Sequence, residues 1–278
     1  VIVLVAVLAV SAVLLTGTET EARPHTGPQG RVPQFVVECE PSHTALDDPI
    51  VHPGLPGASH LHEFFGAEEV DAHTTAEDLL GGTTTCDQQL DTASYWHPAL
   101  IVDDEVVHPT RAVAYYRPGS DVDPTTIEPF PFGLAMIGGD AASTEPQARS
   151  VVSWSCGGLS REQAPPACPD GSHLQLHVTF PDCWDGRNLD SGDHRSHMSR
   201  SSSGACPETH PVVMPQLELV VEWPVSGRQD DLWLASGGPQ TAHADFLNAW
   251  NPDKLANEVA HCLNRGLICG VVSRRATG

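Results

Sequence analysis

The chain has 278 residues, with 14 Lys and Arg against 36 Asp and Glu and a net charge of −22. Lysine occurs once, at Lys254. A nucleic-acid surface needs clustered Lys and Arg, so this composition argues against nucleic acid as a partner. In chain order, Val1 to Leu15 are apolar apart from Ser11. That length suits the hydrophobic region of a secretory signal better than a full membrane span. We expect residues 1–17 to be an N-terminally truncated signal peptide or membrane anchor. Residues 18–33, rich in Thr, Glu, Pro and Gly, read as a linker. Either reading exports the rest of the chain, and a membrane is a partner only if the apolar segment is retained.

From residue 34 to 272 no second linker is visible, and one all-β domain is expected. Frequent Pro and Gly argue against long helices. The runs Phe35–Cys39, Tyr95–Val102, Val106–Tyr116, Ser150–Cys156, Leu174–Phe180, Leu217–Trp223 and Leu232–Ala235 read as strands. Leu174–Phe180 alternates apolar and polar residues with period two, as a half-buried strand does. Ala244 to Asn264 carries apolar residues at mostly helical spacing, broken at Pro252. The expected fold is a β-sandwich or jelly roll with a short C-terminal helical segment.

Eight cysteines, none in a close CxxC pair, read as disulfides of an exported protein rather than a zinc ribbon or redox motif. Sequence does not choose among roughly a hundred pairings. Near neighbours suggest Cys39–Cys86, Cys156–Cys168, Cys183–Cys206 and Cys262–Cys269.

Histidines within short polar motifs carry the chemistry. His60 and His62 are two apart, so on a strand both rings face one way and reach one ion. His194 and His197 are three apart in a loop flanked by Asp190 and Asp193. A carboxylate there can fix an imidazole tautomer and leave the other nitrogen free. The alternative is a polar surface loop. His210 precedes Pro211, which restricts its backbone. His243 and Asp245 read as a helix start, where Asp245 is either a cap or a proton-transfer group. Trp96, Trp184 and Tyr95 suit either a core or a sugar-stacking face. Asp185 and Asp190 suit either a turn or a carboxylate pair for glycoside cleavage.

The motifs together resemble an uncharacterised family of secreted fungal and actinobacterial proteins, a domain of unknown function. They are Asp48-Pro49-Ile50-Val51, Ser59-His60-Leu61-His62, Thr84-Thr85-Cys86, Tyr95-Trp96, Phe180 to Gly186, Leu189 to Ser191, Asp193-His194, Ser196-His197, Cys206-Pro207, His210-Pro211 and His243 to Phe246. Fungal members sit beside small sugar-binding (WSC) modules, which implies an extracellular polysaccharide as partner. The expectation is a secreted, metal-dependent enzyme acting on such a polysaccharide by hydrolysis or elimination. A divalent ion, zinc or copper, is expected on His60, His62, His194, His197 and His243. Asp193, His210 and Asp245 are expected to move protons. The rival expectation is a non-catalytic secreted protein that binds metal or glycan through the same residues.

Overall fold

The computed structural model describes residues 32–227 and 231–270. The expected signal or anchor, the linker up to residue 31 and residues 271–272 lie outside the described residues. The strands in chain order are β1 (Gln34–Cys39), β2 (Pro41–Ala45), β3 (His62–Gly66), β4 (Ser94–Pro98), β5 (Leu100–Val102), β6 (Glu105–Val107), β7 (Arg111–Arg117), β8 (Ala135–Gly139) and β9 (Val152–Ser155). They continue as β10 (Leu174–Thr179), β11 (Cys183–Trp184), β12 (Met198–Ser199), β13 (Val212–Val213), β14 (Gln216–Trp223), β15 (Leu232–Leu234), β16 (His243–Leu247) and β17 (Ile268–Cys269). The helices are short: α1 (Ala76–Leu79) and α2 (Pro252–Glu258), the latter running into a π-helical turn.

The fold is all-β, and two large sheets dominate it. One has the order β17-β1-β7-β14-β10-β9 and the other β2-β3-β4-β16-β8. Alternation along each strand explains why they pack. On β14, Leu217, Leu219, Val221 and Trp223 face the shared core, while Glu218, Val220 and Glu222 face outward. On β16, Ala244 and Phe246 enter the same core. Cross-sheet contacts close the sandwich: Tyr95 on β4 hydrogen-bonds Tyr116 on β7, and the His97 ring meets Trp223 edge-on at 5.2 Å. The four disulfides are Cys39–Cys86, Cys156–Cys168, Cys183–Cys206 and Cys262–Cys269, the pairing that sequence proximity suggests.

Three expectations need correction. The run Tyr95–Val102 divides into β4 and β5, and Val106–Tyr116 into β6 and β7, with each pair split between sheets. The breaks fall at Pro98 and Pro109, which lack the N–H a continuous ladder needs. The third correction is at residues 243–247, which form a strand and not a helix start. Their backbone is paired with β4 on one side and β8 on the other. The helix begins only at Pro252, where the Asn251 side chain caps the Lys254 N–H at 3.0 Å.

The second sheet is covered on both faces. Phe65, Tyr95, Met136 and Phe246 face the central core. Phe64, Trp96, Ala135 and Leu247 face a separate apolar cluster. His62 on β3, and His243 and Asp245 on β16, share that second face by the two-residue period.

Candidate metal centre

Two strands use the same device. His60 and His62 alternate at the entrance to β3, and His243 and Asp245 alternate on β16. Only β4 separates these strands in the sheet, so both pairs project toward one point. The His60 and His62 ring centroids are 4.2 Å apart, His60 and His243 are 5.1 Å apart, and His62 and His243 are 6.0 Å apart. The three histidines offer ligand nitrogens that all lie within 4.8 Å of one another. Asp48, His62 and Asp245 form an overlapping group under the same limit. Donors held about 2.0–2.1 Å from one zinc ion sit roughly 3.4 Å apart, so modest ring rotations complete a site.

The neighbouring backbone sets the tautomers. His62 Nδ1–H donates to the Asp47 carbonyl at 2.9 Å, and His243 Nδ1–H donates to the Thr241 carbonyl at 2.9 Å. Each Nε2 is then a bare lone pair facing the cluster. His60 Nε2, His62 Nε2 and both carboxylate oxygens of Asp245 are buried without any hydrogen-bond partner. The His243 Nε2 lies 3.9 Å from Asp245 Oδ2. Asp48 is aimed by its own turn: its Oδ1 accepts the Ile50 and Val51 N–H groups, both at 2.9 Å. Acceptors thus face acceptors. A water molecule brings only two protons to this set, whereas a cation satisfies every lone pair at once.

Electrostatics agree with that reading. Burial lowers His60 to about 4 and His243 to about 3, and lowers His62 well below the ordinary imidazole value. All three rings are therefore neutral near pH 7, the form that binds metal. Burial pushes the Asp245 carboxyl well above the usual carboxylate range, with the nearby Asp48 adding to the shift. Asp245 is therefore held as the neutral acid while no cation is bound. A divalent ion would displace that proton and bind the carboxylate.

A cavity of about 390 Å³ opens beside the cluster, lined by His60, His243, Asp48 and Asp245 together with His194 and Arg195. His194 has a left-handed backbone, φ 56°, uncommon outside glycine and a mark of functional loops. Its Nδ1–H donates to Asp190 Oδ2 at 2.8 Å, which leaves Nε2 available at the cavity wall.

The other expected site residues play a different part. His197 is not a ligand: its Nε2–H donates to the Ala135 carbonyl at 2.7 Å and its Nδ1 meets Ser191 Oγ at 2.9 Å. Asp193 is not placed to exchange protons near neutral pH. It accepts the Ser196 and Arg195 N–H groups and the Ser191 hydroxyl, which hold its carboxyl far below the usual range. His210 also lies apart, donating from Nε2 to the Ser196 carbonyl at 3.0 Å. His197 ties the 189–197 arm to β8 through Ala135, Asp193 shapes the arm from within, and His210 holds it from outside at Ser196. Arg195 adds a further tie, Nη1 to the Gly139 carbonyl at 2.7 Å. Tyr95 and Trp96 are fully buried core residues. Asp185 organises a turn through the Arg187 and Asn188 N–H groups, at 2.8 and 2.9 Å.

The sequence motifs assign no role to Asp48, to the orienting carbonyls of Asp47 and Thr241, or to Arg195. Asp48 opens the Asp48-Pro49-Ile50-Val51 motif, and its Asx-turn signature before Pro49 is the available signal. A separate group, Glu258 with Cys262 and Cys269, is no metal site, because both sulfurs are in a disulfide.

A family model described as a domain of unknown function, DUF1996, matches residues 48–250. No curated protein and no solved structure matches the chain. The matched span contains the whole cluster, from Asp48 to Asp245, and the arm that covers it.

Proposed function

The chain belongs to the DUF1996 family of domains of unknown function, and we propose that this member is a secreted, metal-dependent enzyme acting on an extracellular polysaccharide. The observation that carries the proposal is the set of buried ring nitrogens of His60 and His62 and carboxylate oxygens of Asp245 that have no partner among the described residues, beside an open cavity. His60, His62, His243 and Asp245 would hold the ion, with Asp48 within reach. Imidazole with carboxylate suits borderline ions such as zinc or copper. A bound divalent ion supplies Lewis acidity, polarising a substrate oxygen or acidifying a water. His194 is the proton-transfer group, held by Asp190 with its Nε2 toward the cavity. Both outcomes, hydrolysis and elimination, use those two parts. Secretion is supported by the four disulfides, which persist in oxidising compartments. The polysaccharide is supported by the sugar-binding modules that accompany the family the sequence resembles.

One observation favours a second reading. Three imidazoles and two carboxylates can fill a coordination shell and leave no open position, as in a non-catalytic metal-binding protein. Turnover separates the two. The metal-loaded protein should release new ends from a panel of acidic and neutral polysaccharides, and a chelator should stop it. His194→Ala should lose about 100-fold or more in kcat while keeping its metal. Full metal retention with no cleavage of any polysaccharide would favour the binding protein.

A further inference from the structure

The cavity at the metal centre does not end there. A second cavity of about 310 Å³ adjoins it. Ile137, Asp140, His194 and Arg195 line both, so the two form one groove that meets at the tip of the 189–197 arm. Arg200 lines the far part.

Among the described residues, neither guanidinium group in this groove has a carboxylate within ion-pair distance, although the Asp182 charge acts on Arg200. The Arg195 side chain has one hydrogen bond among the described residues, from Nη1 to the Gly139 carbonyl. That bond fixes its direction and leaves its other N–H groups for a ligand. Arg200 is held by neutral groups, through Nη1 to the Phe180 carbonyl at 3.2 Å and Nη2 to the Thr179 carbonyl at 2.5 Å. The contrast with the far sheet is direct. There Arg111 pairs with Glu38 and Glu222, and Arg117 pairs with Glu218. In a chain of net charge −22, acidic partners are abundant, yet among the described residues neither cation makes an ion pair, and Asp182 reaches Arg200 only at longer range. The Arg195 charge is also felt inside the cluster, where it opposes the rise at Asp245 and adds to the fall at His243.

A divalent ion would offset ionised Asp48 and Asp245, and the Arg195 and Arg200 guanidiniums offset Asp140 and Asp193, which also line the groove; what Arg195 offers an anion is the direction of its fork. A guanidinium fork matches the paired oxygens of a carboxylate, sulfate or phosphate. We propose that the groove binds an anionic saccharide, whose oxyanion substituent is held by Arg195, with Arg200 extending the positive wall, and that Arg195 is the residue that selects acidic over neutral sugars. This rests on the metal-centre reading for the position of the reacting group, but the anion site stands on its own residues.

The test is a binding measurement on the full secreted chain, loaded with zinc and assayed for metal content in the same sample. Four probes are titrated calorimetrically: D-galacturonate, galactose 6-sulfate, galactose 6-phosphate and neutral galactose. The expected result is binding of at least one anionic probe and about tenfold weaker or no binding of galactose. Which anion binds best identifies the substituent. Arg195→Gln should weaken the anionic probe roughly 10- to 100-fold with its metal content unchanged, and Arg195→Lys should recover part of that loss. Equal binding of galactose and the acidic probes overturns the proposal. So does an Arg195→Gln protein that binds them as wild type does, or a metal-loaded wild type that binds none. If no zinc is retained but Arg195-dependent anion binding persists, the metal reading fails and this one stands.

Discussion

At the residue scale, the site is a problem of lone pairs. His62 and His243 each give one nitrogen's proton to a backbone carbonyl, and that leaves Nε2 with nothing to accept. The same economy explains His197 and His210, expected from sequence as a ligand and a proton-transfer group, which have both ring nitrogens engaged with local oxygen atoms. Imidazole spacing alone does not distinguish the two groups. What distinguishes them is whether a second acceptor lies within reach, a fact of tertiary structure. Burial also sets protonation. Because burial depresses His60 to about 4 and His243 to about 3, their rings should stay neutral as the pH of the chelator-treated protein falls from 8 to 5.5. Nitrogen-15 chemical shifts of the imidazoles check this. A titration midpoint near the ordinary 6.5 for either ring would show that the cluster is open to water and is not the buried set described.

At the element scale, the short period of a β-strand does the positioning. Two alternating pairs, on β3 and β16, supply three imidazoles and one carboxylate to one face. The HxH pair was legible because its period is local. His243 and Asp245 were misread as a helix start because Phe246, Leu247 and Trp250 satisfy a helical spacing as well. The ladders to β4 and β8 decide between them, and those partners lie more than 100 residues away in sequence. Gly139 shows how tightly these strands meet. At φ +78°, a Cβ there would stand 2.5 Å from the Ala242 carbonyl and 2.9 Å from His243 Cα. Gly139→Ala should therefore cost about 1–3 kcal/mol of stability and displace His243. Its zinc affinity should fall while His60 and His62 remain in place. Unchanged melting temperature and zinc affinity would show that β8 does not constrain the site.

At the scale of the whole molecule, the sandwich, four of the six strands of the larger sheet (β1, β9, β10 and β14) and the near-neighbour disulfide pairing were legible, since alternation and cysteine proximity are local signals; β17 was not, and β7 only within a longer run. The covering arm was legible only in part. Its motif of Asp193, His194, Ser196 and His197 mixes two cavity residues, Asp193 and His194, with an internal loop bond at Ser196 and one tie to β8 at His197. Sequence spacing shows a motif's members without assigning their tasks. The architecture that results is a rigid double-layered scaffold with polar groups gathered under one arm, at the cost of stability in the metal-free state. The most direct test of that account is metal stoichiometry. The purified chain is stripped with a chelator, dialysed against zinc, and analysed for metal per chain beside the His60→Ala, His62→Ala double variant. The account predicts one zinc ion per wild-type chain, and none in the variant, which remains folded with all four disulfides intact. A wild-type chain that retains no metal, or a double variant that retains as much as the wild type, would contradict it.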